Sequence, residues 1–177
     1  MTDAFKKLFP NDFDSDPNNK NRFKDYYSNV LNEIKINPKR RKIKYLSLFT
    51  GIGGFEIAIH SIFPNAECIG YSEVKKHAID VYSKHFPGHH NLGDVSAITR
   101  EQIQSLVRDN GCDLIVGGFP CTNLSSLANM NGNTDGLDGP QSGLFWDMCH
   151  IIEWVKELNP KIKIIIENNA SMKNIWK

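Results

Sequence analysis

From Lys44 onward the chain alternates short apolar runs with helical stretches, and this alternation constrains the fold more than any other feature. Tyr45–Phe49 is a short apolar run followed by a glycine turn at Gly51–Gly54, after which Phe55, Ile59 and Phe63 recur at helical spacing. Cys68–Ser72 reads as a second strand and Val74–His85 as the next helix. A short strand is expected near Asn91, ahead of Gly93-Asp94. Thr99 and Gln102 fit a capping box opening a helix through Arg108. Asp113–Gly117 is a buried strand, 118–142 an Asn/Gly/Ser-rich loop, and Gly143–Leu158 a helix stopped at Asn159-Pro160. Ile162–Ile166 makes a fifth strand, almost wholly β-branched. Five strands alternating with helices predict a doubly wound α/β sheet. Residues 1–43 differ: a turn-rich polar stretch precedes weak helical periodicity, which Asn37-Pro38 ends, so they read as an arm on a domain over 44–177.

Composition removes several classes of function. The 177 residues are 40% hydrophobic and 23% charged, ordinary values for a chain with a real core. No apolar run approaches the ~20 residues that span a bilayer. The N-terminus lacks the apolar stretch of a signal peptide, so a soluble cytoplasmic protein (nuclear in a eukaryote) is expected. Cys68, Cys112, Cys121 and Cys149 show no CxxC spacing and no neighbouring ligand His, which argues against a zinc site, any other metal centre or a disulfide scaffold. His89-His90 reads as surface or loop. The net charge of +1 conceals an asymmetry, since residues 1–44 carry eleven Lys/Arg against six Asp/Glu. Lys39, Arg40, Arg41, Lys42 and Lys44 could meet nucleic-acid phosphates, and a solvated run before a buried strand explains them equally well.

Ligands of doubly wound sheets sit at the carboxyl ends of the strands. The turn FTGIGG, residues 49–54, lies there, and its glycines let the backbone approach a ligand. A dinucleotide fingerprint would place a third glycine where this chain has Glu56, which would repel a pyrophosphate. Glu73 ends the second strand, where an acid accepts hydrogen bonds from ribose hydroxyls, and Asp94 could address an adenine amine. A ribose acid without a phosphate cradle suits S-adenosylmethionine. At the fourth strand, Gly117-Gly118-Phe119-Pro120-Cys121 puts a cysteine at the ligand edge, a suitable place for a nucleophile. Glu167 ends the fifth strand, whose apolar residues are expected to desolvate it and raise its pKa.

From about Tyr45 to Lys177 the chain resembles the first part of the cytosine-5 DNA methyltransferases, through LFTGIGGFE, the YSE ending at Glu73, GDV, GGFPCTNLS, SGLFWDM and ENN at 167–169. The resemblance implies a Rossmann-like S-adenosylmethionine-dependent methyltransferase fold, C-terminally incomplete. It further implies that Phe49 meets the cofactor, Gly51 and Gly53 give it backbone approach, and Glu73 holds the ribose. Asp94 and Val95 would bracket the adenine, with Pro120 and Leu144 lining the pocket. Cys121 would attack carbon 6 of a flipped cytosine in duplex DNA, Glu167 would protonate or hydrogen-bond ring nitrogen 3, and loop 122–142 would close over the base. Two departures stand out: Thr122 where bacterial members mostly carry Gln, and Asn169 where valine is usual. The basic segment, recognition region and final helix of the family have no counterpart here, so a second subunit carrying them is the expected partner, as in a split restriction-modification enzyme. The competing readings are a non-catalytic cofactor- or partner-binding fragment and a tRNA cytosine-5 methyltransferase.

Overall fold

The structure, a computed structural model, describes residues 42–120 and 143–168. Its core is a four-stranded, all-parallel sheet: β1 Lys44–Leu48, β2 Glu67–Ser72, β3 Leu114–Gly117 and β4 Lys163–Ile166, in the order β2-β1-β3-β4. Among the described residues four α-helices accompany them: α1 Gly54–Ile62, α2 Lys76–His85, α3 Arg100–Asn110 and α4 Gly143–Leu158. The strand order reverses at β1, so the carboxyl ends of β1, β2 and β3 form the crevice where such sheets bind ligands. The arm over 1–43 lies outside the described residues apart from its last two positions, as do Cys121, the loop 122–142 and Asn169.

Sheet polarity follows from side-chain alternation. Tyr45, Leu114 and Val116 turn to one face, where Ile59 of α1 packs on them with Phe55 and Phe63 at its margin. Phe55, Ile59 and the C-cap residue Phe63 are the expected helical stripe. Helix α4 buries Met148, Ile151, Ile152 and Val155, a continuous apolar seam. It is tied to α3 at the surface by Glu157, which accepts from Arg100 (2.6 Å) and Gln104 (2.8 Å). The Thr99–Gln102 capping box forms in both directions.

Two expectations are corrected. The strand near Asn91 contracts to a single parallel bridge between Tyr71 and Asn91. Tyr71 exchanges hydrogen bonds with His90 (2.9 Å) and Leu92 (2.7 Å), and Gly93 then turns away at φ 83°. The second helix begins at Lys76 rather than Val74, because the Glu73 carboxylate captures the Val74 and Lys75 amides (2.8 Å each) before the helix can use them. Among the described residues, no helix is long and apolar enough to cross a membrane.

Candidate active site at the carboxyl edge of the sheet

The turn after β1 is held from both ends. Thr50 N–H donates to Ser72 O (3.2 Å), and Gly53 N–H donates to Thr50 O (3.0 Å). Phe49 enters it at φ 56°, a left-handed conformation that is rare for an aromatic residue and is concentrated at functional sites. Gly51 repeats that φ of 56°, and a Cβ there would meet no atom within 4 Å, so the backbone at Gly51 faces open space. Gly53 behaves differently. At φ 98° its missing Cβ would come within 2.7 Å of the Phe86 ring, which makes it a packing glycine.

Glu73 closes the other side. Its Oε2 accepts from Gly51 N–H (2.8 Å) while Oε1 accepts from Val74 and Lys75. One carboxylate thus joins the end of β2 to the turn after β1. Asn91 reinforces it: Nδ2 donates to Glu73 O (3.1 Å) and Oδ1 accepts from Glu73 N–H (3.3 Å) and Gly93 N–H (2.9 Å). Asp94 uses Oδ1 for Ser96 N–H (3.0 Å) and Ser96 Oγ (2.9 Å).

These elements enclose a cavity of about 530 Å³ lined by Phe49, Gly51, Glu73, Asp94, Val95, Pro120 and Leu144. That size falls within the roughly 300–1,000 Å³ of small-molecule sites. Of the residues expected at a cofactor, Gly53 alone does not line it, because it is turned to Phe86. Ile52, Ser72, Val74 and His77 also line the cavity. They carried no signal beyond adjacency to Gly51 and Glu73. Cys121 lies outside the described residues, one peptide bond beyond the cavity-lining Pro120.

Glu167 departs from expectation. Its N–H pairs with Gly117 O (2.9 Å) and its carboxylate lies against Gly118, where a Cβ would meet Oε2 at 3.0 Å. Its side chain is exposed rather than desolvated, because β4 is itself only half-buried. The other thiols are unsuited to attack. Burial pushes Cys112 and Cys149 up to about 12, and the half-buried Cys68 likewise to about 12. Among the described residues no group of three or more His, Cys, Asp or Glu could hold a metal.

The family model for C-5 cytosine-specific DNA methylase matches residues 43–175. The type II methyltransferase M2.BsuMI of Bacillus subtilis is 36% identical over 126 residues, 71% of this chain and 29% of that protein. M.Sau3AI of Staphylococcus aureus is 34% identical, covering 72% of this chain and 30% of its own length. The Arabidopsis thaliana DNA (cytosine-5)-methyltransferase DRM2 is 33% identical over 64% of this chain and 19% of its own. The chain therefore spans less than a third of the length of these relatives. In fold it is similar to the Entamoeba histolytica methyltransferase EhMeth, with TM-score 0.53 and 21% identity over 77% of this chain and 43% of that one. It is also similar to the S. pombe Dnmt2 methyltransferase, with TM-score 0.51 and 18% identity over 75% of this chain and 36% of that one. With the match running nearly the whole length after the arm, this chain belongs to the C-5 cytosine-specific DNA methylase family.

Proposed function

We propose that this chain carries the cofactor and nucleophile portion of a DNA (cytosine-5-)-methyltransferase, with a methyltransferase domain over 44–177 and an arm over 1–43. The observation that carries the reading is the cavity at the strand ends, with Glu73 fixed in it by three backbone amides and Cys121 next in sequence to its wall. The residues fit an adenosine cofactor without phosphates: an open backbone at Gly51, an apolar wall and two acids. Bound there, S-adenosylmethionine supplies an electrophilic methyl group.

Every other role belongs to the chain and the base. Glu73 orients the ribose, Phe49, Asp94 and Val95 hold the adenosine, and Pro120 and Leu144 complete the wall. The Cys121 thiolate adds to carbon 6 of an extruded cytosine, and the displaced electron pair makes carbon 5 nucleophilic. Glu167 hydrogen-bonds or protonates ring nitrogen 3 and so stabilises the adduct. After methylation, loss of the carbon 5 proton returns the pair and expels Cys121 as thiolate. The exposure of Glu167 is consistent with a group that meets the base only when DNA is bound. The basic cluster Lys39–Lys44 contributes phosphate contacts, and the setting is cytoplasmic.

The test is methyl transfer into cytosine of DNA and of tRNA, with and without a complementing recognition chain, for wild type and Cys121→Ser. DNA labelling abolished by Cys121→Ser is expected. Labelling of tRNA alone, persistence in the variant, or no labelling under any condition would overturn the proposal.

A further inference from the structure

Behind the glycine turn, on the side away from the cavity, lies a buried polar chain that the proposed reaction does not use. Glu56 is fully buried in the first turn of α1, three residues after the Gly53 N-cap. Its Oε1 pairs with the Tyr82 hydroxyl of α2 (3.2 Å), and that hydroxyl pairs with His89 Nδ1 (2.9 Å). Its own backbone N–H at the start of α1 lies close enough to favour the anion. The Ser47 hydroxyl lies close enough to favour the anion, yet neither Ser47 Oγ nor Glu56 Oε2 completes a bond among the described residues. Tyr82 and Phe86 meanwhile press on Gly53, at 3.3 and 2.7 Å from where a Cβ would stand.

A buried acid with an unmet oxygen is costly, and an apolar residue would avoid the cost. Its position suggests what the cost secures. The turn that faces the ligand is held in front by Glu73 and behind by Tyr82 and Phe86, and Glu56 fixes the Tyr82 hydroxyl from within α1.

We propose that Glu56 is the positioning residue of the ligand-binding turn, setting the Gly51–Gly54 backbone through Tyr82 and coupling it to the proton on His89. Tyr82 has one hydroxyl proton to give. With Glu56 ionised, the proton goes to Oε1 and His89 must carry its own proton on Nδ1 to bond the phenol oxygen. With Glu56 protonated, its hydroxyl donates to the phenol oxygen, Tyr82 donates to His89 Nδ1, and the imidazole proton moves to Nε2. The protonation of Glu56 thus selects the His89 tautomer. The titratable groups that face the carboxyl are Tyr82, Tyr45, Cys68 and His60, with His89 one hydroxyl away. Burial raises Tyr82, Tyr45 and Cys68 well above neutrality, so they stay protonated while Glu56 titrates. His89 is lowered, by burial and then by the neighbouring His60, which favours its neutral imidazole.

The ligand arm of the test rests on the function proposed above, and the other two arms do not. Nitrogen-resolved NMR of His89 reads the tautomer against pH, amide exchange reads the turn, and calorimetry with S-adenosylhomocysteine reads the ligand, each on the full chain. In wild type the His89 tautomer should switch as Glu56 titrates, and in Glu56→Gln and Tyr82→Phe that switch should vanish. Exchange at Gly53 and Ile57, whose amides donate to Thr50 and Gly53, should rise about tenfold in Glu56→Ala and return in Glu56→Gln, with Ile115 of β3 unchanged. Affinity should fall roughly three- to tenfold in Glu56→Ala and recover in Glu56→Gln. A tautomer indifferent to Glu56, or unchanged exchange at Gly53 and Ile57 in folded Glu56→Ala, overturns the inference. Absence of binding by wild type with both other arms as expected overturns the proposed function alone.

Discussion

The two sides of one six-residue turn obey different rules. The front, at Gly51, faces a cavity and has room beyond the backbone. The back, at Gly53, is in contact with Tyr82 and Phe86 and is continuous with a stacked cluster in which Phe86, His89 and His60 lie 5.1–6.2 Å apart. Both positions need glycine for a positive φ, but only the back needs it for space. Substitutions in front should remove function from an intact fold, whereas those behind should weaken the fold first.

The largest separation should come from Cys121→Ser, which is expected to abolish covalent trapping of 5-fluorocytosine DNA while leaving thermal stability and S-adenosylhomocysteine binding unchanged. Trapping by the variant, followed on denaturing gels, would break the front-side account. Gly53→Ala should cost about 2–5 kcal/mol, combining left-handed strain with overpacking against Phe86. Gly51→Ala should cost only about 1–2 kcal/mol, from strain alone. Urea denaturation of the two variants checks the difference, and equal losses would erase the distinction between front and back.

A smaller effect concerns pH. Burial holds Glu56 above its ordinary 4.5, despite opposing help from Ser47, its own amide, Tyr82 and His60. The folded chain therefore keeps a proton that the unfolded chain has already released. Stability from this group is fully present below pH 4.5, falls as pH rises through the window between 4.5 and the raised value, and stays reduced above it. Glu56→Gln has no such proton, so its stability relative to wild type should climb across that window and then level off. His89 works in the opposite sense. Held below 6.5 by burial and by His60, it favours the fold above pH 6.5, and that contribution is lost as pH falls toward its lowered value. The smallest expected effect is at the arm: neutralising Lys39, Arg40, Arg41 and Lys42 should flatten the salt dependence of DNA binding, and an unchanged slope would return the cluster to a solvated run.

The front was largely legible in the sequence because it is local. Strand ends, a glycine turn and the acids one residue past β2 and β4 can be read from spacing, and the cavity collects the turn and Glu73. What spacing could not supply were competitions between partners. Glu73 delays α2 by taking two of the amides a helix would use, and a bridge replaces a strand where Gly93 turns the chain. Glu167 was expected to be desolvated, but the half-buried β4 leaves it exposed. The back was missed, although one signal was present. Glu56, Ile59 and Phe63 share a helical stripe, so an acid stood on the core face of α1. Its partners Tyr82 and His89 lie 26 and 33 residues away, beyond the reach of any periodicity argument.

The most direct test of the front-side site is calorimetric titration of S-adenosylhomocysteine into the purified chain, wild type against Glu73→Gln and Cys121→Ser. Gln keeps one acceptor oxygen and turns the other into a donor facing backbone amides, so affinity should fall roughly 10- to 100-fold. Cys121→Ser should bind as wild type does. Equal affinity in Glu73→Gln, or no binding by folded wild type, would contradict the assignment of this cavity to the cofactor.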